Sequence, residues 1–188
     1  LGLGPPTYQD DFEEDRNEWY LGRDDEISFE IEDGRLVLTA YEAVGDRWRV
    51  VNEPALDDFY LEMTVETGED CSGKDSYGFL VRSPEENDPV IDTGYVFGFS
   101  CDGHYRYYRM DGGVYTGLAN WTPTAQLETG PGQTNTVGVR AQDSTFQIHI
   151  NEVMVEEFSD NTYNSGRFGL FVRTVDSPEF QVLSLIHI

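Results

Sequence analysis

The chain has 188 residues and a formal net charge of −24, from 36 acidic and 12 basic side chains. This length predicts one domain with a hydrophobic core, because most domains contain about 100 to 200 residues. Hydrophobic residues make up 38% and aromatic residues 13% of the chain, which excludes a disordered acidic polypeptide. An acidic surface repels phosphate backbones, and no apolar run approaches the roughly 20 residues of a membrane-spanning helix. We therefore expect neither nucleic acid binding nor membrane insertion.

Residues 1–8 contain no recognisable targeting signal and predict a linker or the start of a fragment. The folded domain is expected to span residues 9–182. Asp10 and Asp11 lie at its start and are candidate ligands for a structural calcium ion, because calcium prefers oxygen ligands that can come from separate loops. No other cofactor is predicted.

Glu13, Asp15 and Glu18 match the spacing of a Glu-x-Asp-x-x-Glu pattern. In some glycosidases this pattern places two catalytic carboxylates on one strand. The three residues lie in an all-polar stretch that lacks the apolar alternation of a strand. We attribute the match to chance, since acidic residues are so frequent, and predict no catalytic residues.

From Ile27 onward, alternating apolar and polar residues predict strands with one buried and one exposed face. The clearest pattern covers residues 59–66. Turn sequences such as Glu-Asp-Gly at 32–34 separate the strands at the short intervals typical of antiparallel sheets. The sequence therefore predicts an all-β fold, a jelly-roll β-sandwich of two antiparallel sheets.

Cys71 and Cys101 are the two cysteines, and each lies beside a predicted strand. They either form a disulfide or remain as two buried free thiols. We favour the disulfide because Cys71 lies in a polar loop, where a free thiol would be exposed to solvent. A disulfide would indicate an oxidising compartment.

Aromatic residues in the middle of the chain are candidates for sugar binding. A flat ring can stack on the apolar face of a pyranose while polar neighbours bind its hydroxyl groups. The predicted ligand-binding residues are Tyr105, Tyr107, Arg109, Tyr115 and Trp121. The alternative is that about half of these aromatic residues line the core of the sandwich.

We expect the last six residues, 183–188, not to be native. A widely used transposon-derived sequencing adapter encodes the same hexapeptide, Leu-Ser-Leu-Ile-His-Ile, in one frame. The hexapeptide nevertheless alternates well enough to pair as an edge strand.

The placed strands and turns resemble the concanavalin A-like lectin/glucanase superfamily, a group of extracellular jelly rolls that includes laminin G-like modules. The resemblance is carried by residues 10–12 (Asp-Asp-Phe), Trp19, 32–36, and 146–171 with its Gly-Arg-Phe-Gly-Leu-Phe ending. Residues 70–78 and 94–103 resemble a cysteine-paired bacterial branch of this superfamily. The resemblance implies an extracellular or cell-surface location, a place in a larger protein, and a glycan or other surface polymer as partner.

These observations favour a non-catalytic carbohydrate-binding or surface-adhesion module. One alternative is a glycoside hydrolase-like enzyme with dispersed carboxylates, which turnover of labelled polysaccharides would reveal. A second alternative is a purely structural module that self-assembles. One fold can host all three functions, so the residues of the functional site, rather than the fold, distinguish between them.

Overall fold

The computed structural model describes residues 9–10, 12, 19, 21–41, 45–50, 55–84 and 92–187, and within them the chain forms strands and no helix. The first strands are β1 (Gln9–Asp10), β2 (Gly22–Arg23), β3 (Ile27–Glu32), β4 (Arg35–Ala40) and β5 (Arg47–Val50). The middle strands are β6 (Phe59–Thr67), β7 (Ser76–Ser83), β8 (Gly94–Ser100), β9 (His104–Asp111) and β10 (Val114–Pro123). The last are β11 (Thr134–Gln142), β12 (Thr145–Ile150), β13 (Val153–Ser159), β14 (Arg167–Arg173) and β15 (Phe180–His187). A helix able to cross a membrane is not found in these ranges.

The strands form two antiparallel sheets. The larger sheet has nine strands in the order β13-β12-β11-β6-β15-β4-β3-β2, with β1 paired to β15. The smaller sheet has six strands in the order β10-β9-β8-β7-β14-β5. Apolar side chains from both sheets meet in one core. The predicted two-sheet antiparallel jelly-roll β-sandwich is therefore confirmed.

The core forms because alternate residues of each strand are apolar. In β6, the predicted apolar positions from Phe59 to Val65 are buried, while the residues between them are half-exposed. Aromatic rings fill the space between the sheets, and the Phe97 and Phe146 ring centroids are 5.8 Å apart. The sequence pattern thus identified the buried face of this strand correctly.

Strand β15 lies inside the larger sheet rather than at its edge. Residues 180–184 pair with β4, and residues 182–187 pair with β6. The expectation of an edge strand for the hexapeptide is therefore wrong. The backbone of β15 pairs with β6 on one side and with β4 and β1 on the other. Ile188 lies outside the described residues, and the non-native origin of the hexapeptide stays a prediction.

The smaller sheet is also apolar on its outer face, away from the core. Four completely buried side chains form a separate cluster there: Leu80, Val96, Met110 and Phe171. The Phe171 ring packs so closely over Gly78 that a Cβ atom at this glycine would lie 2.8 Å from it. Glycine therefore allows the aromatic ring to lie against the backbone of β7.

Cys71 and Cys101 form a disulfide, with their Cα atoms 5.5 Å apart. The bond joins the loop before β7 to the turn between β8 and β9. The predicted pairing is confirmed, and the alternative of two free thiols is wrong.

His149 on β12 gives the fold a pH-dependent element. Its side chain is buried, and neither ring nitrogen has a hydrogen-bond partner among the described residues. Burial lowers the pKa of the imidazole, so the folded protein favours the neutral form. As pH falls below about 6.5, the imidazole is therefore protonated in the unfolded chain before it is protonated in the folded protein, which lowers the stability of the fold.

We therefore expect wild-type protein to lose more stability between about pH 7 and pH 5 than the variant His149→Gln. Urea unfolding at several pH values measures this difference. Parallel pH dependences for the two proteins would contradict a role for His149.

Candidate functional site

A groove of about 410 Å³ lies on the outer face of the smaller sheet, beside its edge strand β10. We call it the outer groove. Side chains from β9, β10, β14 and the segment before β5 line it. Its polar and aromatic lining residues are Asp46, Arg106, Tyr108, Tyr115, Asn120, Trp121 and Arg173.

Strand geometry determines which side chains reach the groove. Arg106 and Tyr108 point outward because they alternate along β9 with residues that face the core. The register between β9 and β10 shifts on both sides of Ala119. Such bulges redirect side chains, and Trp121, which lies within the second irregularity, lines the same groove as Tyr115.

The carboxylate of Asp46 is the polar centre of the groove, and its side chain is 6% exposed. Nη2 of Arg106 lies 2.6 Å from both of its oxygens. Nη1 of Arg173 makes a longer contact of 3.5 Å with Oδ1. The Tyr108 hydroxyl donates a hydrogen bond to Oδ2. Burial, followed by the nearby Asp46 charge, raises the pKa of Tyr108, so its hydroxyl remains a donor at neutral pH.

Two aromatic side chains differ in how much of their surface they offer to a ligand. The guanidinium carbon of Arg106 lies 4.6 Å from the Trp121 ring centroid, and Nζ of Lys74 lies 5.2 Å from it. The Trp121 ring is thus engaged with cations. Tyr115 is 63% exposed, although its ring centroid lies 5.5 Å from that of Tyr108. An exposed ring beside fixed polar groups suits a ligand with one apolar face and polar edges.

The structure brings Tyr115 and Trp121 together but places the other predicted ligand-binding residues elsewhere. Tyr105 and Tyr107 point into the core, with 4% and 6% exposure, because they share the inward face of β9. Arg109 binds the carboxylates of Asp111 and Asp160, at 3.0 and 2.7 Å. These three residues do not line the outer groove, and their predicted ligand-binding role stays a prediction. The ligand-binding role of Tyr115 and Trp121 stays a prediction.

The sequence analysis missed Asp46, Arg106, Tyr108 and Arg173. Both faces of β9 carry tyrosine and arginine, so its alternation alone does not reveal the outward face. The apolar alternation of the neighbouring strand β8 was a usable signal, because antiparallel pairing places Tyr107 opposite the core residue Phe97. Asp46 and Arg173 gave no such local signal.

The calcium prediction is untested. Oδ1 of Asp10 accepts a hydrogen bond from the Phe12 backbone N–H at 2.9 Å, and Oδ2 accepts one from the Trp19 indole at 2.7 Å. Asp11 lies outside the described residues, as do Glu13, Asp15, Glu18 and residues 1–8. Within the described ranges, no group of three or more histidine, cysteine or acidic side chains could hold a metal ion.

Solved structures with this fold include three bacterial proteins. The carbohydrate-binding module CBM66 from Bacillus subtilis is 17% identical with a TM-score of 0.61, covering 78% of this chain and 82% of its own. A Bacillus subtilis protein of unknown function with a galectin-like fold is 13% identical with a TM-score of 0.67. The match covers 98% of this chain and 95% of that protein. The Bacillus licheniformis beta-glucanase is 9% identical with a TM-score of 0.64, covering 98% of both chains. The concanavalin A-like resemblance is confirmed at the level of the fold.

A comparison with curated proteins found no match. The family model of the 3-keto-alpha-glucoside-1,2-lyase-like domain, in contrast, matches residues 7–180. This range contains the disulfide, strands β1 to β14 and every residue named in the outer groove. The chain therefore belongs to the family of 3-keto-alpha-glucoside-1,2-lyase-like domains.

Proposed function

We propose that the outer groove binds a saccharide without changing it chemically. The observation that carries this proposal is the exposed Tyr115 ring beside the fixed pair of Arg106 and Asp46. A pyranose has an apolar face that stacks on a flat aromatic ring. Its hydroxyl groups then lie at the edge of the ring, where an arginine and a carboxylate can bind them.

Two further observations support a saccharide ligand and argue against hydrolysis. The family name refers to a glucoside, and CBM66 is described as a carbohydrate-binding module. Glycosidases use a pair of carboxylates that flank the scissile bond. Among the described residues, Asp46 is the one carboxylate that lines the groove, and two arginines contact it.

Replacing Tyr115 by alanine should weaken saccharide binding about tenfold, because the exposed stacking surface is lost. A glycan array first identifies the ligand, and isothermal titration calorimetry then compares dissociation constants. Val114→Ala is the matched control. Val114 is the neighbouring residue and is 65% exposed, but it does not line the groove.

Two outcomes would overturn this proposal. Equal affinity of Tyr115→Ala and wild type would show that the ligand binds elsewhere. Failure to bind any glycan at millimolar concentration, combined with self-association of the domain, would favour the purely structural module.

The family match favours a second function, elimination on a 3-keto-α-glucoside. In such an elimination a base removes the proton at C2, next to the C3 ketone, the C1–O bond then breaks, and the departing aglycone oxygen takes up a proton. The enolate that develops would be stabilised by a fixed cation, and Arg106 supplies one in the groove.

Release of the aglycone from a 3-keto-α-glucoside tests this second function. Turnover above the protein-free rate, reduced about 100-fold in Arg106→Gln, would favour the enzyme. Turnover equal to the protein-free rate would leave binding as the function.

We propose further that the domain works outside the cytoplasm as part of a larger protein. The Cys71–Cys101 disulfide supports this location, because such bonds persist in oxidising compartments. Detection of the protein in the extracellular or cell-surface fraction would test it.

The proposed calcium site at Asp10 and Asp11 predicts a higher melting temperature in millimolar calcium than in chelator, and equal melting temperatures would exclude it.

A further inference from the structure

The outer groove carries an excess of positive charge although the whole protein is strongly acidic. Arg106 and Arg173 share the single carboxylate of Asp46. Elsewhere in the described part of the chain, an arginine in an ion pair has at least one carboxylate of its own. Such pairs are Arg35–Glu66, Arg47–Glu26 and Arg49–Asp24. Among the residues that the structure describes, the groove therefore has one guanidinium charge that no carboxylate of its lining balances.

The two arginines also keep unused hydrogen-bond donors. Nη2 of Arg106 and Nη1 of Arg173 contact Asp46. The remaining Nη atom of each side chain has no hydrogen-bond acceptor among the described residues. The side chains of Arg106 and Arg173 are 17% and 27% exposed, so both are accessible from the groove.

Arg106 is held in place independently of any ligand. Its guanidinium carbon lies 4.6 Å from the Trp121 ring centroid and 5.2 Å from that of Tyr108. Among the described residues, the 3.5 Å contact with Asp46 is the one polar contact of the Arg173 guanidinium, so it can turn toward a second acceptor at little cost. One fixed and one adjustable guanidinium group suit an anionic ligand better than a neutral one.

We propose that the saccharide in the outer groove carries a carboxylate, as uronic acids do. This inference rests on the proposed function. The sugar ring stacks on Tyr115, and its carboxylate receives the free donors of Arg173 and Arg106. Hydrogen bonds from guanidinium groups to a carboxylate are charge-assisted and stronger than bonds to neutral hydroxyls. The remote acidic groups oppose this binding weakly, since physiological salt screens charges beyond about 8 Å.

The experiment compares pairs of ligands that differ only in charge. Uronic acid trisaccharides of the gluco, galacto and manno configurations are each measured beside the same trisaccharide with methyl-esterified carboxyl groups. At least one acid should bind wild-type protein about tenfold more tightly than its ester. Arg173→Gln should bring this ratio close to one.

Arg140→Gln is the matched control for net charge. Arg140 lies on β11 in the other sheet, where its guanidinium contacts Gln142, and it is remote from the outer groove. This variant should keep the wild-type preference for the acid. The preference should also weaken as the salt concentration rises.

The possible results separate the two proposals. Equal binding of acid and ester, with both weakened in Tyr115→Ala, would overturn the carboxylate inference and leave the saccharide function intact. A preference that persists in Arg173→Gln would also overturn the inference, because the carboxylate would then bind elsewhere. Failure of the wild-type protein to bind any charged or neutral saccharide would overturn both proposals.

Discussion

Replacing Cys71 and Cys101 together by serine should lower the free energy of unfolding by about 3 to 4 kcal/mol. The disulfide joins residues separated by 30 positions. A cross-link of this length removes conformational entropy from the unfolded chain, so its loss favours unfolding. For a domain of this size we expect the melting temperature to fall by about 10 °C.

Thermal unfolding of wild type and the double variant, each with and without reductant, measures this contribution. Reduced wild type should match the double variant, and reductant should leave the double variant unchanged. Equal melting temperatures of oxidised and reduced wild type would show that the bond contributes little.

The same variant should weaken ligand binding in the outer groove. The disulfide holds the loop of Lys74 next to the turn of Asp102, and Lys74 Nζ lies 2.7 Å from that carboxylate. Lys74 also lies over the Trp121 ring at the end of the groove. Loss of the cross-link loosens this end, so binding should weaken even at temperatures where the variant remains folded.

The fold was predictable because its main signal is local. Residues 59–66 alternate between apolar and polar side chains, and period-two alternation directly indicates a strand with one buried face. Cys71 and Cys101 each lie in short turns beside such strands, so their pairing was also accessible from the sequence. Both inferences need only the conformation of neighbouring residues.

The position of β15 was not accessible in this way. Its alternation predicts a strand but does not say how many neighbours that strand has. The pairing of residues 182–187 with β6 depends on the order of strands in the sheet, which distant parts of the chain determine. An interior strand and an edge strand can therefore have the same sequence pattern.

The outer groove was only partly predictable for the same reason. Tyr115 and Trp121 lie six positions apart and on one strand, and their aromatic character was a visible signal. Asp46 meets Arg173 across 127 positions, because β14 pairs with β5 in the smaller sheet. No local pattern encodes that contact. Among acidic residues as frequent as 36 in 188, Asp46 is not distinguishable by type.

Asp75, immediately before β7, is a completely buried residue that joins two loops. Its Oδ1 accepts hydrogen bonds from the backbone N–H groups of Val175 and Asp176, at 2.6 and 2.8 Å. Its Oδ2 accepts one from the N–H of Ser72 at 3.1 Å. Burial alone would raise the pKa of this carboxyl, but a hydrogen bond from the Ser177 side chain and these backbone hydrogen bonds outweigh burial and hold the pKa below its usual value. The folded state therefore contains the carboxylate.

Replacing Asp75 by alanine should lower the free energy of unfolding by about 3 to 5 kcal/mol, because several N–H groups lose a charged acceptor. Asp75→Asn should have a smaller effect, since its carbonyl oxygen can still accept. Asp70→Ala removes an exposed acidic residue of the same loop and should change stability by less than about 0.5 kcal/mol. Urea unfolding at neutral pH compares the three variants with wild type.

The pH dependence provides an independent measure of the Asp75 contribution. A carboxyl whose pKa is lower in the folded state stabilises the protein fully above its unfolded pKa of about 3.9. The contribution is lost as pH falls through the folded pKa. The stability difference between wild type and Asp75→Ala should therefore be constant above about pH 5 and shrink below about pH 4. A difference that stays the same down to pH 2, or that is absent at neutral pH, would show that the buried charge does not stabilise the junction of these loops.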